Sequence, residues 1–330
     1  MANLAALKAP YPWWQATHEK WLSSVAQNKL APAALIVGAK ASGKLELVTT
    51  WAQLLLCEQP NFDVEPGYCN TCTSCTLFNA KTHPDLTIAD LSGSNQLTVD
   101  AVRGVIDFLQ LSATRGGFRV AIINHADHLN AAAANALLKS LEEPPPKRFI
   151  CLIAEDISQL PLTLRSRLNV FNLGAVTLAK LKQWLKVEAA DLDRLQLLHH
   201  LMGDSIKLIE ANLKDDGFLA ARERLKQHLQ LDNEADLASL ATNLLNEYDL
   251  KDLLYVWLSV AQDLLKVKLR LQEPFNLDLI DVINALSKGA NLTKLLAFID
   301  WLQEVLKQLV LNLNAPLVIE TLLFKWQNLI

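Results

Sequence analysis

At 330 residues, 51% hydrophobic and 20% charged, the chain is long enough for two or three domains and a sizeable buried core, which excludes a disordered or low-complexity protein. The formal net charge of −4 lacks the basic surplus of a free-standing nucleic-acid binder, so any DNA contact is expected to be local or shared with partners. The N-terminal residues show no cationic stretch followed by an apolar run, and no apolar run is long enough to span a bilayer, so a cytoplasmic protein without membrane contact is expected.

Trp14, Trp21, Leu22 and Val25 recur at helical spacing across 13–27, ahead of a fully apolar strand at Ala33–Val37. That strand runs into Gly38-Ala-Lys-Ala-Ser-Gly43-Lys44, which has the G-x-x-x-x-G-K spacing of a phosphate-binding loop. Lys44–Cys57 then reads as a helix with Leu47, Trp51, Leu54 and Leu55 on one face. Strand, glycine loop and helix is the context in which such a loop cradles phosphates, with Gly38, Gly43 and Lys44 as the candidate nucleotide-binding residues. One position departs from the motif. The residue after the lysine should carry a hydroxyl for Mg2+, and Leu45 stands there.

Of the five cysteines, Cys57, Cys69, Cys72 and Cys75 cluster, whereas Cys151 sits in the apolar run 149–154 and reads as a core thiol. Three thiolates at x2 spacing can wrap one tetrahedral ion, with Cys57 at the end of the preceding helix as fourth ligand. The reading is a structural Zn2+ site, because four thiolates leave no open position for a reacting water. Small and turn-forming residues around the cysteines suit a tight loop. His83 is a competing fourth ligand, although His83-Pro84-Asp85 also suits an ordinary lead into a strand at Asp85–Ala89, and unligated thiols are the bland alternative.

A polar turn at Ser92–Asn95 precedes an amphipathic helix at Thr98–Leu111, with Val102, Val105, Ile106 and Leu109 facing inward. The strand Phe118–Ile123 ends in Asn124-His125, where nucleotide hydrolases carry an acidic pair for the metal and the attacking water. Asp127 reads as a loop or helix-start acid rather than a displaced metal ligand. Asn130–Glu143 is an alanine-rich helix stopped by Pro144–Pro146, followed by the buried strand Phe149–Ala154, the segment 160–167 and a short strand Leu168–Phe171. Strands alternating with helices over this half indicate an α/β layer with a mostly parallel sheet. From Gly174 onward the strand signal stops. Helices are expected at Thr177–Val187 and Leu192–Leu201, closing near Gly203. Leucine-rich helices follow at Phe218–Leu231, Leu237–Glu247, Leu250–Leu271, Leu277–Leu286 and Leu292–Leu311, punctuated by Asp249, Pro274, Gly289 and Pro316.

The loop outline, the four-cysteine insertion, Asp100-Ala-Val-Arg103, Asn135-Ala-Leu-Leu-Lys-Ser-Leu-Glu-Glu-Pro144 and Leu164-Arg-Ser-Arg167 occur in this order. Together they resemble the clamp-loader AAA+ ATPases of bacterial replication. The resemblance implies an AAA+ α/β domain over 1–170 with the zinc insertion at 57–75, a helical lid over 171–210, and an all-α oligomerisation domain over 211–330. Within that family the departures set the chain apart from the ATP-hydrolysing gamma/tau branch. Leu45 and Asn124-His125 remove the metal-organising groups, so ATP and Mg2+ are not expected to bind productively. Ile206 stands where the gamma/tau lid carries a sensor arginine, with Lys207 adjacent as a partial substitute. The family's Ser-Arg-Cys segment, here Ser166-Arg167-Leu168, presents an arginine finger to ATP in a neighbouring subunit, which makes Arg167 the implied catalytic residue in trans. Without the family, Arg165 or Arg167 reads as a surface ion pair.

The implied partners are gamma/tau and delta in a hetero-oligomeric ring, and the sliding clamp and primed DNA through the assembled complex. The resemblance thereby implies a component of a DNA-directed DNA polymerase holoenzyme, with no polymerase or ATPase activity expected of this chain itself. The alternative is an active, gamma/tau-like ATPase with an unorthodox metal shell. A zinc-dependent DNA-binding module is a third reading, set against by the closed four-cysteine set and the acidic balance.

Overall fold

The computed structural model describes residues 9–62, 64, 66–91, 97–172, 176–188, 191–215, 217–229, 236–271, 274–309 and 313–329. The polar turn expected at Ser92–Asn95, and the positions Gly174, Leu231 and Leu311, lie outside the described residues. Five parallel strands form one sheet in the order β2-β3-β4-β1-β5, with β1 at Ala33–Val37, β2 at Leu86–Ala89, β3 at Arg119–Ile123, β4 at Arg148–Ala154 and β5 at Asn169–Asn172. Every residue of β1 and β3 is buried, the reason β1 reads as an unbroken apolar run and β3 as one apolar except for Arg119, rather than as alternating strands. Val37 of β1 pairs with Ala154 of β4, and Ile123 of β3 with Leu152, so the chain leaves β1, β3 and β4 at one sheet edge. In open parallel sheets that edge is where ligands bind.

Helices α1 (Gln15–Ala26), α2 (Lys44–Leu56), α4 (Val99–Gln110) and α5 (Ala131–Glu142) accompany the sheet. Val102, Val105 and Leu109 of α4 and Ala133, Leu137 and Leu141 of α5 pack with Leu35, Ala121 and Leu152 in one core. A second, aromatic set joins α1 and α2: Trp21 stacks on Trp51 at 4.6 Å, with Phe149 and Phe171 edge-on at 6.1 and 5.5 Å. Thr98 and Asn130 cap α4 and α5 with side-chain oxygens, as the polar residues before each apolar run predict.

Four helices carry no clear signal in the sequence, two before β5 and two beyond residue 205. The cysteine loop contains a helix, α3 (Thr73–Asn79), capped by Cys72 itself. The short α6 (Leu162–Arg165) occupies the segment before β5. Helix α7 (Leu178–Leu185) completes the first of two compact units, residues 1–187 with 204–208. The second unit comprises 188–203 and 209–330, and its described residues contain helices and no strand. It holds α8 (Leu192–Met202), most of α9 (Ile206–Lys214), α10 (Gly217–His228), α11 (Leu237–Glu247), α12 (Leu250–Leu269), α13 (Ile280–Gly289), α14 (Leu292–Gln308) and α15 (Ala315–Gln327). Trp257 and Trp326 lie fully buried in its core. Pro316 falls in the first turn of α15, where its missing N–H costs nothing, so a residue read as punctuation starts a helix. The parallel sheet with flanking helices and the all-helical remainder are the α/β-plus-all-α architecture the resemblance implies.

Candidate functional site

The loop after β1 carries Gly38, Gly43 and Lys44 to the sheet edge. Gly43 adopts φ +85, a left-handed conformation that favours glycine, and caps the N-terminus of α2. The Lys44 ammonium does not point into open space. It donates to the carbonyl oxygens of Gly38 at 2.8 Å and Ala39 at 2.6 Å, inside its own loop. Burial lowers its pKa, partly offset by the nearby Glu155 and Asp127 carboxylates.

Next to the loop lies a cavity of about 300 Å³ lined by Lys40–Glu46, Asn124, His125, Ile153–Glu155 and Lys207. The structure thus brings the loop and the Asn124-His125 pair to one site. Leu45 offers that cavity no hydroxyl. Asn124 donates from Nδ2 to Asp90 at 3.1 Å. Asp127 accepts at one oxygen from the backbone N–H groups of Glu155 (2.8 Å) and Asp156 (3.2 Å), tying the ends of β3 and β4 together as the loop acid expected. Lys207 reaches the same cavity and pairs with Glu46 in the first turn of α2, whereas Ile206 is buried.

No sequence signal marks what covers Gly43. Tyr11, Trp13 and Trp184 form an aromatic cluster, with Tyr11 stacked on Trp13 at 4.9 Å and Trp184 edge-on to both at 5.2 Å. A Cβ built on Gly43 would fall 2.2 Å from Tyr11 Cε2. The indole N–H groups of Trp13 and Trp14 both donate to the Ser42 carbonyl, at 3.1 and 3.0 Å. Aromatic residues far apart in sequence therefore hold the end of the loop, and no local periodicity could announce that.

The sulfurs of Cys57, Cys69, Cys72 and Cys75 all lie within 4.8 Å of one another, close enough to hold a metal ion. Cys57 and Cys69 Sγ are 3.7 Å apart. That is the edge of a tetrahedron with metal–sulfur bonds of about 2.3 Å, and far beyond a disulfide bond of about 2.05 Å. Backbone N–H groups of Cys69, Cys72 and Cys75 point at the sulfurs of Cys57, Cys69 and Cys72 at 3.3, 3.3 and 3.4 Å, an arrangement that favours thiolates. Hydrogen bonds from the Thr71 and Cys72 backbone hold the Cys69 thiol down at about 6, while burial pushes Cys57 and Cys75 up. The cysteine set therefore fits a tetrahedral thiophilic ion.

His83 has a different task. Its Nδ1 accepts from the Asp85 N–H at 3.0 Å, leaving the proton on Nε2, which lies 2.5 Å from Ser74 Oγ. Ser74 in turn donates to Leu56 O at 2.6 Å, so His83 braces α3 against α2 with both nitrogens engaged.

Arg167 follows α6, 35% exposed. Its Nε donates to Glu142 at 2.8 Å and one Nη to Thr163 O at 2.7 Å.

Two family models match the chain: "DNA polymerase III, delta subunit" over residues 14–177 and "DNA polymerase III, delta subunit, C terminal" over 216–328. The DNA polymerase III subunit delta' of Pseudomonas aeruginosa is 32% identical, covering 97% of this chain and 98% of that protein. That of Escherichia coli K12 is 31% identical, over 96% and 95% respectively. The subunit tau of Bacillus subtilis is 30% identical over only 47% of this chain and 27% of its own length. Identity of 31–32% over nearly the whole of both chains, with family models matching both halves, decides the assignment: the chain belongs to the DNA polymerase III subunit delta' family.

Proposed function

We propose that the chain works as a clamp-loader subunit that supplies an arginine to a neighbour's ATP while its own nucleotide chemistry has lapsed. It assembles with gamma/tau and delta subunits in the cytoplasm, and acts on the sliding clamp and primed DNA through that complex. In this reading 1–170 forms the AAA+ domain, 171–210 the lid and 211–330 the oligomerisation domain.

The observation that carries the proposal is the state of the chain's own loop. Lys44 is satisfied by the Gly38 and Ala39 carbonyls, Leu45 brings no metal-binding hydroxyl, and Asn124 and His125 replace the two carboxylates that would organise Mg2+ and water. Arg167, by contrast, keeps a partly exposed guanidinium, held by the Glu142 carboxylate and the Thr163 carbonyl. A planar cationic fork suits phosphate oxygens and the charge that builds on them in phosphoryl transfer. Cys57, Cys69, Cys72 and Cys75 hold a structural Zn2+ that closes the insertion, because four sulfurs complete the tetrahedron.

The test is reconstitution. With Arg167→Ala the ring is expected to assemble, while ATP hydrolysis stimulated by DNA and clamp falls by roughly a factor of 10 or more. An assembled ring with undiminished hydrolysis would sink the role of Arg167.

The cavity beside Lys44 favours a second reading, in which this chain hydrolyses ATP itself. Turnover by the isolated chain that disappears in Lys44→Ala would establish that reading instead.

A further inference from the structure

Among the described residues, two groups of side chains bring ligand atoms within 4.8 Å of one another, and the second is His125, Asp127 and His128. We propose that these three residues form a second divalent-metal site, for a late first-row ion such as Ni2+ or Zn2+, separate from the four-cysteine cluster.

The local fold assembles the set. β3 ends at Ile123, and His125 takes a left-handed backbone with φ 54 that turns the chain sharply into a single 3-10 turn, Ala126–His128. The His128 N–H closes that turn on the His125 carbonyl at 2.9 Å. The two imidazoles stand nearly perpendicular, centroids 5.9 Å apart, and each has a nitrogen within 4.8 Å of an Asp127 oxygen. Asp127 lies between them in sequence. One of its oxygens is pinned by the Glu155 and Asp156 backbone N–H groups, which fixes the carboxylate, and the other is buried without any hydrogen-bond partner. An acceptor left unpaired in a buried place is costly, and a cation is the partner that would satisfy it.

Two imidazoles and one carboxylate match the preference of late first-row ions, not that of Mg2+ or Ca2+, which take oxygen ligands. Three protein ligands leave coordination positions for water, so the site is open where the cysteine cluster is closed. Competing charges are modest. Lys44 feels the Asp127 carboxylate, but Glu155 remains as its counter-ion, and Asp90 faces His125 with an oxygen 3.7 Å from Nε2 and adds negative potential.

The proposal does not depend on the role of Arg167. Its test uses the full chain with zinc already in the cysteine cluster, titrated with NiCl2 by isothermal calorimetry near neutral pH. One further equivalent is expected, weakened by roughly 10-fold or more in His125→Ala and in His128→Ala. Zinc content stays unchanged in both variants. His128 is exposed, so its replacement leaves the fold intact. Absence of a further equivalent overturns the site, and so does one whose affinity either variant leaves untouched.

Discussion

Arg167 and Glu142 close an ion pair across 25 residues of chain, with Nε 2.8 Å and an Nη 2.5 Å from the same carboxylate oxygen. Both side chains are partly exposed, at 35% and 49%, so the link stabilises the fold by no more than about 1 kcal/mol. Under the proposed role, this weak pair would release the guanidinium to a stronger anion at low cost. Glu142→Gln is expected to shift the melting temperature of the chain by no more than about 4 °C and to leave ATP hydrolysis by the assembled complex intact. Arg167→Ala is expected to lower the stimulated rate by roughly a factor of 10 or more at similar chain stability. Melting curves read beside the complex's ATPase separate the two variants.

With the proposed Zn2+ in the cysteine cluster, metal content is expected to depend on pH. Zinc needs all four thiolates, and burial holds Cys57 and Cys75 protonated more strongly than a free thiol. Lowering the pH returns protons to those sulfurs, so zinc affinity falls with acidification. Cys72→Ser is expected to drop zinc from one per chain to trace amounts by metal analysis, and to speed proteolysis within 57–75.

Gly43→Ala tests how tightly Tyr11 seals the loop. The substitution forces a Cβ to 2.2 Å from Tyr11 Cε2 on a backbone already at φ +85. The expected cost is about 2–4 kcal/mol of unfolding free energy, from overpacking plus left-handed strain. Adding Tyr11→Ala should recover the overpacking part, leaving about 1 kcal/mol of strain beyond the effect of Tyr11→Ala alone. A denaturant cycle over the four proteins measures that coupling.

His18 gives stability that depends on a neutral ring. Its Nδ1 accepts from Trp51 Nε1 at 2.9 Å, and burial lowers its pKa to about 4. The unfolded chain takes up the proton near pH 6.5, and the native chain does so only near pH 4. The contribution is fully present above pH 6.5 and is lost as pH falls through that window, by roughly 3 kcal/mol in all. Wild type should therefore lose more stability between pH 7 and pH 4 than His18→Gln, which keeps an acceptor for Trp51 but does not titrate.

In the helical unit, fully buried Asp263 accepts from the Asn276 backbone N–H and side-chain amide, both at 2.7 Å, and from Lys266 at 2.9 Å. Asn276 in turn accepts from Arg222 at 2.7 Å. Removing the carboxylate strands these donors, so Asp263→Ala is expected to cost about 3–5 kcal/mol in urea unfolding, and Asp263→Asn less.

Much of this protein is legible in its sequence because it is local. The apolar runs 33–37, 120–123 and 149–154 are strands buried on both faces, and the glycine–lysine loop sits where a strand must turn into a helix. The cysteine spacing likewise announces four sulfurs within reach of one ion. Helix α3 escaped notice because its start is capped by Cys72, a residue type that gives no usual capping signal. Pro316 reads as a stop in the sequence because a proline ends one helix or begins another with equal ease.

What only tertiary structure decided are the partners of charged and aromatic groups. Nothing in the sequence says that Lys44 turns to the Gly38 and Ala39 carbonyls, that Tyr11 covers Gly43, or that Glu142 holds Arg167. Such pairings depend on how β1, β3 and β4 end at one edge and on which side chains meet there. Periodicity and spacing report a backbone's local preference. They are silent on contacts between residues far apart in the chain, and those contacts set the chemistry of the site.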